Sequence, residues 1–499
     1  MMLLITGRHL ERREQVVKSD SSARVHYTIG SSFSLPPKAI TDLEESIKHY
    51  TIATDLTNSP LLLLDVAYNH AQSLITLADL LDDTEPTRNA QELRVEASRI
   101  LSQVLDGQEE FLVRQAERGD EAIEEVEAGA DNAAAMEVEA GTETMEVDGE
   151  GDGEEEETFE TYLPTPSTFI DTALALVELS LSAWESIEPL QPPTEEAQSF
   201  VRAVLDRAAR LCPSDREPDL DLAEIKVLMS VDGIVWDMYR SEAKVGSGVE
   251  TSLEGATTVM EKLLGSLEPT ADNLIRAEIL TTLAETHSTI ADRLTFLLPQ
   301  LPAGPSHLAQ QAWHHYSQAI TQWNKALELP VSSSTAAEFK PSVYVNLSKA
   351  SLERARLGRA NETAKRNAPQ LLENAWTYAT KAAEFMKWNS LALGGSAISA
   401  TIGGLPAPGG WDMESLGREI ILHSMRLCFV GSNLVDDASK SKYTAGLEGL
   451  VGKVKKLPAE RRIQTKDLTD FAEDLNEEGK LDNGEKEWWE TMLAQLSTP

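Results

Sequence analysis

The chain has 499 residues, with 82 acidic against 44 basic side chains and a net charge of −38. That balance excludes a direct nucleic-acid ligand, which needs clustered Lys and Arg, and fits either a basic protein partner or simple high solubility. Hydrophobic residues make up 41%, ample for a core, and the length admits three ordinary domains or one long stack of helix pairs.

Residues 1–38 read as an N-terminal extension. They open Met-Met-Leu-Leu-Ile, an apolar run too short for a secretory segment and followed by Gly7-Arg8. Beyond it, apolar residues recur at i, i+3, i+4 and i+7, and strand-like alternation is scarce. The periodicity predicts helices near 40–57, 61–82 and 88–116, forming helix pairs across 39–116. Further helices are predicted near 165–188, 194–212, 218–242, 250–267, 271–298, 308–329, 340–357 and 366–388, forming pairs across 163–390. In the 165–188 helix, Phe169, Ala173, Leu176, Val177 and Trp184 share one face, Pro164 and Pro166 precede it, and Pro189 follows it. A glycine-rich linker is expected at 391–410, then a C-terminal helical cap at 411–499 with helices near 413–431 and 484–496.

Residues 117–162 interrupt the helices. No basic residue lies between Arg118 and Arg202, and 119–157 hold 17 acids, leaving −21 of the total −38 for the rest of the chain. A short phrase recurs there: Met136-Glu137-Val138-Glu139, then Met145-Glu146-Val147-Asp148, before a run from Glu154 through Glu155 and Glu156 to Glu157. Such a segment buries too little apolar surface to offset its ordering entropy, so disorder is the expectation. It is either a solubilising loop or a polyanion that steers a basic client, touching aliphatic patches with Met and Val while the acids meet Lys and Arg.

No catalytic motif is found, and neither an enzymatic activity nor a cofactor is expected. His314 and His315 adjoin instead of standing one helical turn apart, and no metal-ligand spacing surrounds them. Cys212 and Cys428 match no disulfide or zinc pattern, which points to a reducing compartment, cytoplasm or nucleus. No uncharged apolar stretch reaches the roughly 18 residues of a membrane span, so no membrane is expected as partner. Lys440, Lys442, Lys453, Lys455, Lys456, Arg461, Arg462 and Lys466 form the only basic cluster, read as a solvated face or a nuclear import signal. Trp488-Trp489 reads as a hydrophobic plug closing the array.

One order of residues repeats. Ala319, Trp323, Ala326, Leu327, Leu329 and Pro330 present small, bulky and small side chains at helical spacing, with a closing proline. Val201, Leu205, Ala208, Leu211 and Pro213 repeat it, as do Ser46, Tyr50, Ala53, Leu56 and Pro60. Ala375, Ala379, Ala382 and Ala383 give another copy, and Ala256, Met260, Leu263 and Leu264 one more. Two segments resemble the matching first helices: Ala67, Tyr68, Ala71, Leu74, Ile75 and Ala78, and Tyr344, Leu347, Ala350 and Leu352. These residues resemble the tetratricopeptide (TPR) family, although Ala319 to Ala375 spans 56 residues against a standard repeat of about 34.

The resemblance implies an all-α, TPR-like superhelical solenoid of antiparallel helix pairs, with client segments held by the first helices. On those helices Tyr68, Tyr344 and Asn346 are candidate client-binding residues, and Glu137, Glu139, Glu146, Asp148 and Glu154–Glu157 are candidates in the insert. The acidic insert resembles that of interrupted-TPR histone chaperones of the nuclear autoantigenic sperm protein kind, and also that of escort chaperones for new ribosomal proteins. The expected function is therefore a chaperone or adaptor that shields a basic client, a histone or a ribosomal protein. The alternative is a TPR scaffold or co-chaperone that assembles a complex through peptide binding. The oligomeric state stays open.

Overall fold

The computed structural model describes residues 2–32, 34–84, 89–118, 163–187, 190–241, 251–268, 272–300, 305–385, 410–457 and 463–496. The acidic residues 119–157 and the glycine-rich 391–409 lie outside the described residues. The fold is an all-α solenoid of helix pairs, with no strand among the described residues. The helices are α1 (Met2–Ser32), α2 (Lys38–Leu56), α3 (Pro60–Thr84), α4 (Ala90–Arg118), α5 (Pro166–Glu185), α6 (Glu195–Leu211), α7 (Glu217–Ser241) and α8 (Thr251–Ser266). They continue as α9 (Asn273–Leu297), α10 (Pro305–Glu328), α11 (Ser333–Arg356), α12 (Glu362–Phe385), α13 (Gly410–Leu434), α14 (Asp437–Val454), α15 (Thr465–Glu477) and α16 (Asn483–Leu496).

Three of these were not expected from the sequence. The N-terminal extension is mostly helix α1. Helices α14 and α15 stand where the basic cluster was read without a helix, so Lys440, Lys442 and Lys453 are helical and Lys466 opens α15. Two others begin earlier than predicted, α11 seven residues before 340 and α12 four before 366, and each runs through an internal proline, Pro341 and Pro369. Proline removes one intrahelical bond, and packing on neighbouring helices keeps the helix whole.

Two compact units divide the chain. The first comprises residues 1–27, 42–183 and 195–216. Its α1, α2 and α3 meet through Val16, Ala23, Tyr50, Ala53 and Val66. Here the small residue of the repeat order has a visible reason: the buried Ser46 hydroxyl donates to the Ala23 carbonyl at 2.9 Å and meets Ser73 at 3.1 Å. A larger side chain would push these helices apart. Arg207 joins α6 to α4 through Asp106 and Glu109.

The second unit comprises residues 28–41, 184–194 and 217–499. In it α9 pairs with α10, α11 with α12, and α13 with α14. The repeat residues of α10 and α12 are core: Ala319, Trp323, Ala326, Ala375, Ala379, Ala382 and Ala383 are all buried. Asn361 caps α12, its side-chain oxygen accepting from the Thr363 and Ala364 amides at 2.9 and 3.0 Å. That cap turns the chain sharply between α11 and α12. The array ends on Trp489, which is 1% exposed and packs edge-on against Phe471, while Trp488 stacks on Phe429 at 4.6 Å. Trp489→Ala is expected to cost about 3–5 kcal/mol of unfolding free energy, read by denaturant titration followed by circular dichroism.

Candidate functional site

Successive helices of the second unit run antiparallel, so α9 and α11 run parallel and α10 lies behind them. Between α9 and α11 opens a cleft of about 180 Å³. Glu285, Ser288, Thr289 and Asp292 line it from α9, and Asn346, Lys349, Ala350 and Glu353 from α11. Each quartet has the i, i+3, i+4, i+7 spacing of one helix face. Tyr316 and Trp323 of α10 add their rings, and Lys480, from the turn between α15 and α16, closes one end. The volume is below the roughly 300–1,000 Å³ of small-molecule sites and matches about six waters. It has room for a long side chain, not for a nucleotide or other large cofactor.

The closed end is electrostatically saturated. Arg426 of α13 places Nε 2.6 Å from Glu485 of α16 and Nη1 2.7 Å from Glu353. Arg356 lies 3.1 Å from Glu353 and 3.3 Å from Glu485, completing a ring of two acids and two guanidiniums. Burial alone would raise the Glu353 carboxyl, but Arg356, Arg426 and Lys480 together pull it down to about 2. Lys480 sits 2.9 Å from Asp292 and 2.8 Å from Glu478, and these acids overcome the burial that would otherwise lower its pKa. The Tyr316 hydroxyl donates to Asp292.

The other end is open. Seven residues separate Glu285 from Asp292, about 10 Å along the helix. Glu285 makes no hydrogen bond or ion pair among the described residues, and Lys226, a cation that acts on it, lies 2.7 Å from Glu278. The Glu285 carboxyl reaches solvent through the mouth of the cleft, yet protein fills most of the space around it. That burial, with Lys226 opposing and Glu278 adding, pushes it up to about 7. Trp323 is 2% exposed and its indole N–H finds no partner. Asn346 is likewise unpaired among the described residues. Lys349 is engaged by Glu419 of α13.

Of the residues singled out from the sequence, Asn346 lines this cleft. Tyr344 shares its helix but joins an aromatic cluster instead, stacking on Tyr378 at 6.3 Å and tilting against Phe385 at 5.8 Å, with the Lys381 ammonium 5.4 Å from its ring. Tyr68 belongs to the first unit, where burial first and then Asp171 raise its phenol. Glu137, Glu139, Glu146, Asp148 and Glu154–Glu157 lie outside the described residues. Sequence reasoning passed over Glu285, Asp292, Lys349, Glu353 and Lys480, and took Trp323 only as a packing residue. For Glu285, Asp292, Lys349 and Glu353 the signal was the polar stripe on each first helix; Lys480, in a turn, had none.

His315 does not stand alone beside His314: its Nδ1 lies 3.1 Å from Nδ1 of His287. Burial first, then His315 and His314, depress His287 to about 4, so the pair is neutral at pH 7. No group of three or more His, Cys, Asp or Glu with metal-holding geometry occurs among the described residues. No described helix is long and apolar enough to cross a membrane.

No protein-family model matches the chain, and no curated protein matches it significantly in sequence. Solved structures similar to it are helical. A circular tandem repeat protein with novel repeat topology shares 14% identity, over 98% of this chain and 97% of its own, at a TM-score of 0.30. The S. pombe nuclear import adaptor Nro1 shares 11% identity over 75% of this chain and 94% of its own, at a TM-score of 0.29. Likeness at that level adds nothing to the functional reading, which rests on the chain's own residues.

Two pH-dependent outcomes follow from the cleft. Glu353 titrates below its unfolded value of about 4.3, so its pairing stabilises the fold above that pH and is lost as pH falls toward 2. Arg426→Met strands Glu353 and Glu485 and should cost about 3–5 kcal/mol at neutral pH. The deficit should shrink in acid, where the stranded carboxyls take up protons. Glu285 has the opposite sign: its folded pKa lies above the unfolded one, so its ionised form costs stability, fully above pH 7 and not at all below about 4. Glu285→Gln should raise Tm at pH 8 and leave it unchanged near the acid limit, both read by scanning calorimetry.

Proposed function

We propose that this chain is a non-enzymatic helical-repeat chaperone or adaptor that binds a basic client protein, a histone or a ribosomal protein. The observation that supports it most directly is the open end of the cleft, where Glu285 faces solvent without an ion-pair partner among the described residues, in a chain of net charge −38. A surface field of that sign draws basic proteins in and repels nucleic acid. The acids of 119–157 add 17 negative charges to the same field. First helices supply the binding wall and second helices the packing, a division of labour suited to holding an extended segment of another protein. Such binding places the protein where those clients are made or used, in the cytoplasm or nucleus.

A second reading is a scaffold or co-chaperone that clamps the terminal carboxylate of a partner peptide. Asn346, Lys349 and Lys480 in one cleft are the feature that favours it. Both lysines already have carboxylate partners, Glu419 for one and Asp292 with Glu478 for the other. A client carboxylate would have to displace them, so the cationic client is the better fit.

Immobilised full-length protein should retain core histones or ribosomal proteins from a lysate in about 0.05 M salt and release most of them in about 0.5 M, where the Debye length falls below 5 Å. Deleting 119–157 should weaken that retention. A retained set without basic proteins, or one indifferent to both salt and the deletion, would overturn the proposal.

A further inference from the structure

Within the basic-client reading, the cleft's residues define what one part of the client must be. The two ends of the cleft differ in kind. At the Lys480 end every charge is matched, and Glu353 is only 3% exposed. At the Glu285 end, two groups of different chemistry stand without partners among the described residues: the solvent-exposed Glu285 carboxyl and the half-buried primary amide of Asn346. An apolar occupant would leave both unanswered, and an anionic one would meet Glu285, Asp292 and Glu353 head-on. An occupant that brings one cation and a neighbouring carbonyl acceptor satisfies both.

We propose that the open end of the cleft is a receptor for a single arginine or lysine side chain of an extended client segment. Glu285 is its counter-ion, and the Asn346 amide donates to a carbonyl beside it. The volume sets the count: about 180 Å³ admits one long side chain with its flanking peptide units, not a basic cluster. The rest of a basic client is then left to the wider acidic surface. Ser288 and Thr289, between Glu285 and Asp292 on the same face, put no acid in the middle of the cleft, and Lys349, which lines it from α11, is held by Glu419. The cation therefore stops at Glu285 and does not travel on to Asp292, which Lys480 already neutralises.

The test uses the full-length chain and a Gly-Ser-rich peptide carrying one central arginine, with its lysine analogue and its neutral citrulline analogue, measured by surface plasmon resonance. The arginine and lysine peptides should bind, and citrulline should lose about tenfold to hundredfold, the scale of a charge-assisted hydrogen bond. Glu285→Gln should lose the same factor for arginine and lose the discrimination against citrulline. Asn346→Ala should weaken the arginine and citrulline peptides by equal factors, as a contact to backbone would. Unchanged discrimination in Glu285→Gln overturns the receptor, and if that variant still retains histones in a salt-dependent way the basic-client reading survives. Loss of basic-protein retention in the unaltered chain overturns that reading itself.

Discussion

Arg426 is a guanidinium 2% exposed in the middle of a helical array, and a charge so placed persists only if it is answered. Glu353 answers from α11 and Glu485 from α16, while a terminal amino group accepted by the Lys480 carbonyl at 3.1 Å ties in the turn between the last two helices. Each partner comes from a different part of the chain, so this one cation fixes the register of three elements at once. Apolar packing alone specifies position loosely, since leucines slide past one another at small cost. An ion ring with Arg356 as its fourth member tolerates no such slip, because a shift of one helical turn would strand a carboxylate. The same ring saturates one end of the cleft and thereby leaves Glu285 as its unmatched acid.

Most of the helices were legible because burial follows the 3.6-residue period wherever a helix lies on a core. The repeat order was legible for the same reason: Ala319, Trp323 and Ala326 are fully buried or nearly so because α10 lies against its neighbours on both sides. Three helices gave too weak a pattern. Helix α14 holds Gly446, Gly449 and Gly452, each costing helix propensity that only docking against α13 restores. The docking is close: a side chain at Gly431 of α13 would stand 2.8 Å from the Tyr443 ring. Helix α15 carries an apolar stripe, Leu468, Phe471, Ala472 and Leu475, that covers only two turns, and α1 spreads charged residues around its circumference and shows no such stripe.

The cleft was far less legible, because it depends on which helix lies beside which. Asn346 was picked for its place on a first helix. Its counterpart on α9 is Glu285, 61 residues earlier, and the same offset relates Asp292 to Glu353. Nothing local announces such a number, which follows from two helices and two turns of irregular length. Lys480 is harder still, since it enters from a turn that a period-based reading treats as a mere connector. Trp323 shows how a single residue can serve two purposes. Its ring is the bulky member of the repeat order and fills the core, while its N–H is the donor that packing leaves over.

Net charge and local charge do different things here. The 17 acids of 119–157 and the −21 on the rest of the chain set a field that acts over a Debye length of about 8 Å at physiological ionic strength. Such a field speeds encounter with any basic surface and cannot tell one from another. Discrimination needs an acid in a fixed place, with neighbours that read what flanks the cation. Glu285 is so placed, its exposed carboxyl at the open mouth of a cleft that Asn346 also lines. On the proposed reading, capture by the field and selection by the cleft are separable steps, carried by different residues.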